Sequence, residues 1–380
     1  MTGEPTTTAP LSVVIAPDSF KNSASATDVA AAIATGWRER RPADTIAMLP
    51  QADGGEGTLD AIQAATPGSR RHAVPGITGP DGAQVDGQWL ELSGGIAVVE
   101  LADSSGLPLM RELDALGATT TGLGETIRAA LDAGARSLVV CLGGSASTDG
   151  GAGALAALGL RLARADGSAV LPGGAALATL DLVDTSDLLP APVDGVTLIT
   201  DVTAPLLGPT GAAAVFGPQK GADASAVATL DDALARFADI LGGDPGQPGA
   251  GAAGGTAFGF AAVWPARIVA GSAYLAELTG LPQRLATADV LICGEGRFDD
   301  TSLGGKVVGH LITLADDSGA RVGVIAGQVA AHPNTPSGDP IWTASLVDIA
   351  GSVPAAMADP LAALVEAGRR AAEHFGPQPA

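Results

Sequence analysis

Short, unbroken runs of Val, Ile and Leu recur along this chain: "LSVVIAP", "TIAMLP", "SLVVCLG", "VTLITDV", "DVLICGEG", "VGVIAG" and "TASLVDIA". A strand with one wet face alternates apolar and polar residues, whereas these runs are apolar throughout, as strands covered on both faces of a parallel sheet are. The segments between several of them have helical periodicity, as in "ATDVAAAIATGWRERR" after the first run. The fold class is therefore α/β.

The first two strands alternate simply with helices, and so do the last three, from about residue 285 onward. The middle differs. After residue 70 the chain reads "RRHAVPGITGPDGAQVDGQWLELSGGIAVVELA", short alternating segments with an Asp-Gly turn at 81–82, which predict an antiparallel hairpin or meander. Gly/Ala/Pro-rich stretches such as "LGGDPGQPGAGAAGGTAFG" follow. The simplest architecture has two domains. One is discontinuous and doubly wound, built from residues 1–70 and 285–380, and a mixed α/β domain, residues 71–284, is inserted into it.

Composition narrows the partners. A formal charge of −21 over 380 residues repels nucleic acid and anionic lipid alike. No apolar stretch reaches the ~20 residues that span a bilayer. Cys141 and Cys293 each end an apolar run, without a CxxC or a Cys/His cluster, and read as buried free thiols of a reducing cytoplasm. "MTGEPTTTAP" lacks the basic and apolar regions of a secretory signal. The sequence leaves a homo-oligomer open.

In open α/β sheets ligands bind beyond the carboxyl ends of the strands. The residues found there are "DSFK" (18–21), "ADGGEGT" (52–58), "GGSASTDGG" (143–151), "DVTAPLLG" (201–208) and "GEGRFDDTSLGGK" (294–306), with "FGPQKGA" (216–222) and "GAGAAGG" (249–255) in the middle region. Asp-Gly-Gly-X-Gly is written twice, at 53–57 and 149–153, each time at the mouth of a helix. Turn chemistry explains either copy alone. Together with strand-end carboxylates they suit a phosphate site in which a metal ion bridges the negative partners, as in nucleotide phosphoryl transfer. There is no GxxxxGK[ST] segment, so this is not a P-loop protein, and the GxGxxG at Gly249–Gly254 follows a loop rather than a strand. Of 20 basic residues only three are Lys, namely Lys21, Lys220 and Lys306, and each lies within one of these motifs. That pattern points to sites wanting a compact ammonium instead of a planar guanidinium. The four histidines lie apart in sequence and outside the motifs, which argues against a Ser/His/Asp triad or a His-ligated metal.

"APDSFKNSASA", "PQADGGEGT", "GGSASTDGGAG", "DVTAPLLGPTGAAAVFGPQKGA", "GAGAAGG" and "GEGRFD", in this order over about residues 13–330, resemble the motifs of the bacterial type I glycerate kinases. The departures are small: Ser147-Thr148 where Thr-Asn is usual, Asp103 in an Ala-rich segment, and "DDTSLGGKVVG" where "DxQTLxGKxPxGV" is usual. The resemblance implies two α/β domains, one Rossmann-like or flavodoxin-like and containing both termini, with the active site in the cleft between them. It implies transfer of the γ-phosphoryl of ATP to D-glycerate with Mg²⁺, giving 2-phosphoglycerate. On that reading Asp18, Ser19, Lys21 and Arg297 meet glycerate, with Lys21 and Arg297 on its carboxylate or on the transferring phosphate. Asp201 is the base, and Asp53, Glu56 and Glu295 hold Mg²⁺. Gly54, Gly55, Gly57, Gly143, Gly144, Ser145, Lys220, Gly254, Gly255 and Lys306 bind the nucleotide. A kinase for another small hydroxy acid, 3-phosphoglycerate as the product, and a metabolite-binding sensor on the same fold remain alternatives.

Overall fold

The computed structural model describes residues 9–20, 23–303 and 307–376. Its α/β chain divides into two compact units. The first comprises the chain up to Ala52, Asp60–Thr66, and the chain from Ser272 onward; the second comprises Asp53–Leu59 and Pro67–Gly271.

The first unit begins with β1 (Ser12–Pro17) and β2 (Thr45–Met48). The second carries β3 (Arg70–Thr78), β4 (Gln84–Leu92), β5 (Ile96–Glu100), β6 (Ser137–Cys141), β7 (Arg161–Ala163), β8 (Leu182–Asp184), β9 (Val196–Ile199) and β10 (Ala266–Val269). The chain then returns to the first unit as β11 (Val290–Phe298), β12 (Arg321–Val329) and β13 (Trp342–Ser345).

In the first unit the sheet order is β13-β12-β11-β1-β2, and every neighbouring pair is parallel. Its central strands β1, β11 and β12 bury both faces over most of their length, which accounts for their unbroken apolar character, while the edge strand β2 is apolar yet half-exposed. Val13, Ile15, Val290 and Ile292 pack with the helices Ala26–Arg40 and Pro360–Phe375. The alternate residues Val14, Ala16, Leu291 and Cys293 pack with the helix Val307–Ser318 on the other side. Ser25 starts the helix Ala26–Arg40 by accepting from the Asp28 amide, so a cap fixes where strand chemistry gives way to helix.

Two expectations for this unit are corrected. "TASLVDIA" is not one strand: β13 ends at Ser345, whose hydroxyl accepts from the Asp348 amide and begins the short helix Leu346–Ala350. Nor does a helix join β12 to β13; a loop makes that crossover, with a bridge between Asn334 and Pro340.

The second unit's main sheet has the order β10-β9-β6-β5-β4-β3. β10, β9, β6 and β5 run parallel, while β5-β4 and β4-β3 are antiparallel, forming the meander expected from the sequence. Its Asp-Gly turn has Gly82 at φ +79° and the Ala83 amide on Asp81 Oδ1 at 3.0 Å. Trp89, Val99, Leu138, Val140 and Leu198 enter a large core with Leu123, Leu155, Phe237 and Phe258 from the covering helices. Edge strand β10, "ARIV", is half-buried and carries an Arg, so nothing in its pattern announced it. Among the described residues no helix is long and apolar enough to cross a membrane.

Candidate functional site

In the second unit, the loop at 53–57 lies across the carboxyl ends of three parallel strands. A Cβ on Gly143, just after β6, would sit 2.3 Å from Gly55 Cα, and one on Gly271, after β10, would sit 2.3 Å from the Asp53 carbonyl oxygen. Gly54, at φ +94°, approaches the carbonyl of Ile199, the last residue of β9. Close backbone approach is the reason these positions are glycine. Asp53 Oδ1 accepts from the Gly55 amide at 2.9 Å, an Asx turn. Glu100, buried at the end of β5, accepts from the Gly57 amide at 2.9 Å and the Leu59 amide at 3.0 Å, so it receives the start of the helix Thr58–Ala65. Two of the amides expected to cradle phosphate, those of Gly55 and Gly57, are thus engaged by the protein's own carboxylates. Asp201 follows β9, half-buried, and its Oδ1 accepts from the Gly271 amide at 2.7 Å. Asp53, Gly54, Gly55, Gly143 and Asp201 are therefore joined through close backbone approaches and carboxylate–amide bonds, with Gly57 held by Glu100 and Glu56 exposed on the same loop.

The second Asp-Gly-Gly motif does a different job with the same spelling. Asp149 is buried and accepts from the Thr120 amide and hydroxyl, the Gly151 amide and the Gly153 amide. It thereby ties together the starts of the helices Thr121–Asp132 and Ala152–Ala157. Burial still pushes its carboxyl above the usual range, opposed by those donors. The loop before it packs on the segment 250–255. Gly254, at φ +66°, leaves no room for a side chain, since its Cβ would meet the Ser147 carbonyl oxygen at 2.1 Å, and its own carbonyl accepts from the Gly150 amide. Neighbouring Ala253, at φ +51°, is the one non-glycine residue with positive φ among the described residues.

Lys220 ends in this same place. It is 1% exposed, and its ammonium donates to Ser145 Oγ at 2.8 Å and to the Ser147 carbonyl oxygen. Burial lowers its pKa to about 7, opposed by the charge of Asp149. The structure thus gathers Gly143, Gly144, Ser145, Lys220, Gly254 and Gly255 around one loop.

In the first unit, Asp18 directly follows β1, its amide donating to the Gly294 carbonyl and its carboxylate accepting from the Ser19 amide. Glu295 and Arg297 lie on the extension of the adjacent strand β11, in register with Ala326 and Gln328 of β12. With one residue between them, they share a face of the strand. Arg297 is exposed, and its Nε lies 3.1 Å from Asp299 Oδ2. The carboxyl of Asp299 is held below its usual range, first by the Thr301 hydroxyl and then by other donors including Arg297. Lys21 and Lys306 lie outside the described residues. No three His, Cys, Asp or Glu side chains form a metal cage among the described residues. Glu100 was not among the expected site residues. Its signal is a carboxylate closing an apolar run, "AVVE", immediately before a helix.

With this geometry in place, comparison with known proteins is direct. The sequence pattern of the glycerate kinase family matches residues 13–376. The chain is 41% identical over 306 residues, 78% of its length and 80% of the other's, to glycerate 2-kinase of Escherichia coli K12. It is 40% identical over 334 residues, 85% of its length and 87% of the other's, to glycerate kinase of Bacillus subtilis 168. A crystal structure from Salmonella typhimurium LT2, named there as a candidate glycerate kinase 2, superposes with a TM-score of 0.80 at 37% identity, covering 96% of this chain and 98% of that one.

Proposed function

The chain belongs to the glycerate kinase family, a family of phosphotransferases, and from that premise we propose that it transfers the γ-phosphoryl of ATP to D-glycerate, yielding 2-phosphoglycerate and ADP. The observation that carries the reading is the packing of the 53–57 loop onto Gly143, Ile199 and Gly271, with Asp201 tied to Gly271. Glycine backbone and a fixed carboxylate at the carboxyl ends of parallel strands supply what in-line phosphoryl transfer asks of a protein, namely positioning and a place for the hydroxyl proton.

Asp201 accepts that proton. Its Oδ1 is held by the Gly271 amide, which sets the orientation of the carboxylate. The planar fork of Arg297 suits the glycerate carboxylate, and Asp299 holds its Nε. Asp18, Ser19 and Lys21 complete the acceptor's contacts, and Gly143, Gly144 and Ser145 face the nucleotide phosphates. Asp53, Glu56 and Glu295, as hard oxygen donors, would hold magnesium, which would supply positive charge to offset that of the phosphates.

The parallel sheet with helices on both faces supports reading the first unit as a Rossmann-like, doubly wound domain, and buried thiols at Cys141 and Cys293 suit a cytoplasmic enzyme. ADP release measured on a panel of small hydroxy acids, with and without Mg²⁺, tests the proposal. Turnover is expected with D-glycerate and only with the metal; preference for another acid would reassign the substrate, and no turnover with any acid would favour a sensor.

A further inference from the structure

Lys220 is the most deeply buried cation of the second unit, and its partners identify what it serves. It sits at the end of the turn Pro218–Lys220, 75 residues beyond Ser145 in sequence, yet its ammonium reaches Ser145 Oγ and the Ser147 carbonyl oxygen. A lysine that gripped phosphate directly would present its ammonium at an open surface. This one is 1% exposed and donates to protein oxygens.

The chemistry at Ser145 follows from the donor count. The protonated amine can only donate, so in that form Ser145 Oγ is the acceptor and its own O–H points elsewhere. Among the described residues, Lys220 is the side-chain partner of that hydroxyl. The rest of the loop is fixed from its other side. The Gly144 carbonyl accepts from the Leu107 amide at 2.8 Å, and the Ala146 amide donates to the Ser105 carbonyl at 3.0 Å. The loop leaves β6 through Gly143, which touches the 53–57 loop, and turns at Gly144 with φ +69°. A hydroxyl donor on a rigid glycine loop beyond a parallel strand is suited to an anionic oxygen.

We propose that Lys220 is a positioning residue for phosphoryl transfer, holding the Gly143–Ser147 loop and setting the Ser145 hydroxyl as a donor to a phosphate oxygen of the nucleotide. Its catalytic consequence rests on the kinase reading above. The charge that faces Lys220 is Asp149, which favours the protonated, donating form against the desolvation that lowers its pKa to about 7.

The test is a double-mutant cycle with a separate structural readout. Lys220→Met removes the ammonium but keeps an unbranched, flexible apolar stem of similar length. Ser145→Ala removes the hydroxyl while leaving the ammonium the Ser147 carbonyl. Expected are a fall in kcat/KM of at least tenfold for Ser145→Ala, a fall at least as large for Lys220→Met, and a double variant within about threefold of Lys220→Met alone, because one effect works through the other. Losses that multiply, or near-normal kinetics for Ser145→Ala, would overturn the proposal. Hydrogen exchange of the 143–148 amides, measured without substrates, should be at least tenfold faster in Lys220→Met, and unchanged exchange would also overturn it. If the wild-type protein phosphorylates nothing, the kinase reading alone fails, and exchange still decides whether Lys220 holds the loop.

Discussion

Replacing Asp149 separates the two uses of the Asp-Gly-Gly motif. Its Oδ2 accepts from the Thr120 amide, the Thr120 hydroxyl and the Gly153 amide, and its Oδ1 accepts from the Gly151 amide. Asp149→Ala strands three backbone N–H groups, those of Thr120 and Gly151 buried and that of Gly153 half-buried, each buried one worth about 1–3 kcal/mol when left without an acceptor. Removing a carboxylate that burial already disfavours offsets part of this, and about 3–5 kcal/mol remains. Asp149→Asn can keep its oxygen in the Oδ2 position and three of the four donors, so the penalty comes from one amide facing the Gly151 N–H, about 1–3 kcal/mol. Hydrogen exchange at Thr120, Gly151 and Gly153 reads these local openings, and at about 1.4 kcal/mol per factor of ten the alanine variant should lose on the order of a hundredfold or more of protection. The asparagine variant should lie between it and the wild type. Protection unchanged within threefold in Asp149→Ala would show that the helix starts do not depend on this carboxylate.

The other predictions concern neighbouring parts of the same unit and its chemistry. Because the folded protein binds fewer protons at Lys220 than the unfolded chain does between pH about 7 and the ordinary lysine value of 10.5, its stability relative to Lys220→Met should rise with pH across that window. The slope is at most about 1.4 kcal/mol per pH unit, and urea midpoints compared at pH 7, 8 and 9 would contradict this if their difference stayed flat. Gly254→Ala combines a left-handed backbone with a 2.1 Å clash on the Ser147 carbonyl, and should destabilise by about 2–5 kcal/mol, visible as a clear drop in Tm; an unchanged Tm would disprove the close packing. Asp201→Asn keeps an acceptor for the Gly271 amide, so Tm should hardly move while kcat falls on the order of 10²- to 10⁴-fold. A normal kcat would place the base elsewhere.

Most strands were legible because burial on both faces writes itself as unbroken Val, Ile and Leu, and the Asp81-Gly82 turn because only a few residues accept its backbone angles. Strand β10 and the split of "TASLVDIA" were not legible, the first because a half-buried edge needs little apolar pattern, the second because Ser345 reads equally as a strand residue and as a cap. At the site, glycines marked the loops, since close approach leaves a residue signature. Their partners left none. The carbonyls of Ile199, Asp53 and Ser147 exist whatever the side chain, so nothing in "FGPQKGA" tells that Lys220 is interior, and Glu100 carries a helix start that lies 43 and 41 residues before it in sequence.

The most direct measurement is a ³¹P NMR time course of the full-length protein with ATP, Mg²⁺ and D-glycerate. The account predicts a growing phosphomonoester signal that matches 2-phosphoglycerate, rising in step with ADP. A 3-phosphoglycerate signal would contradict the assigned position, and the absence of any phosphomonoester from folded protein would contradict phosphoryl transfer to glycerate altogether.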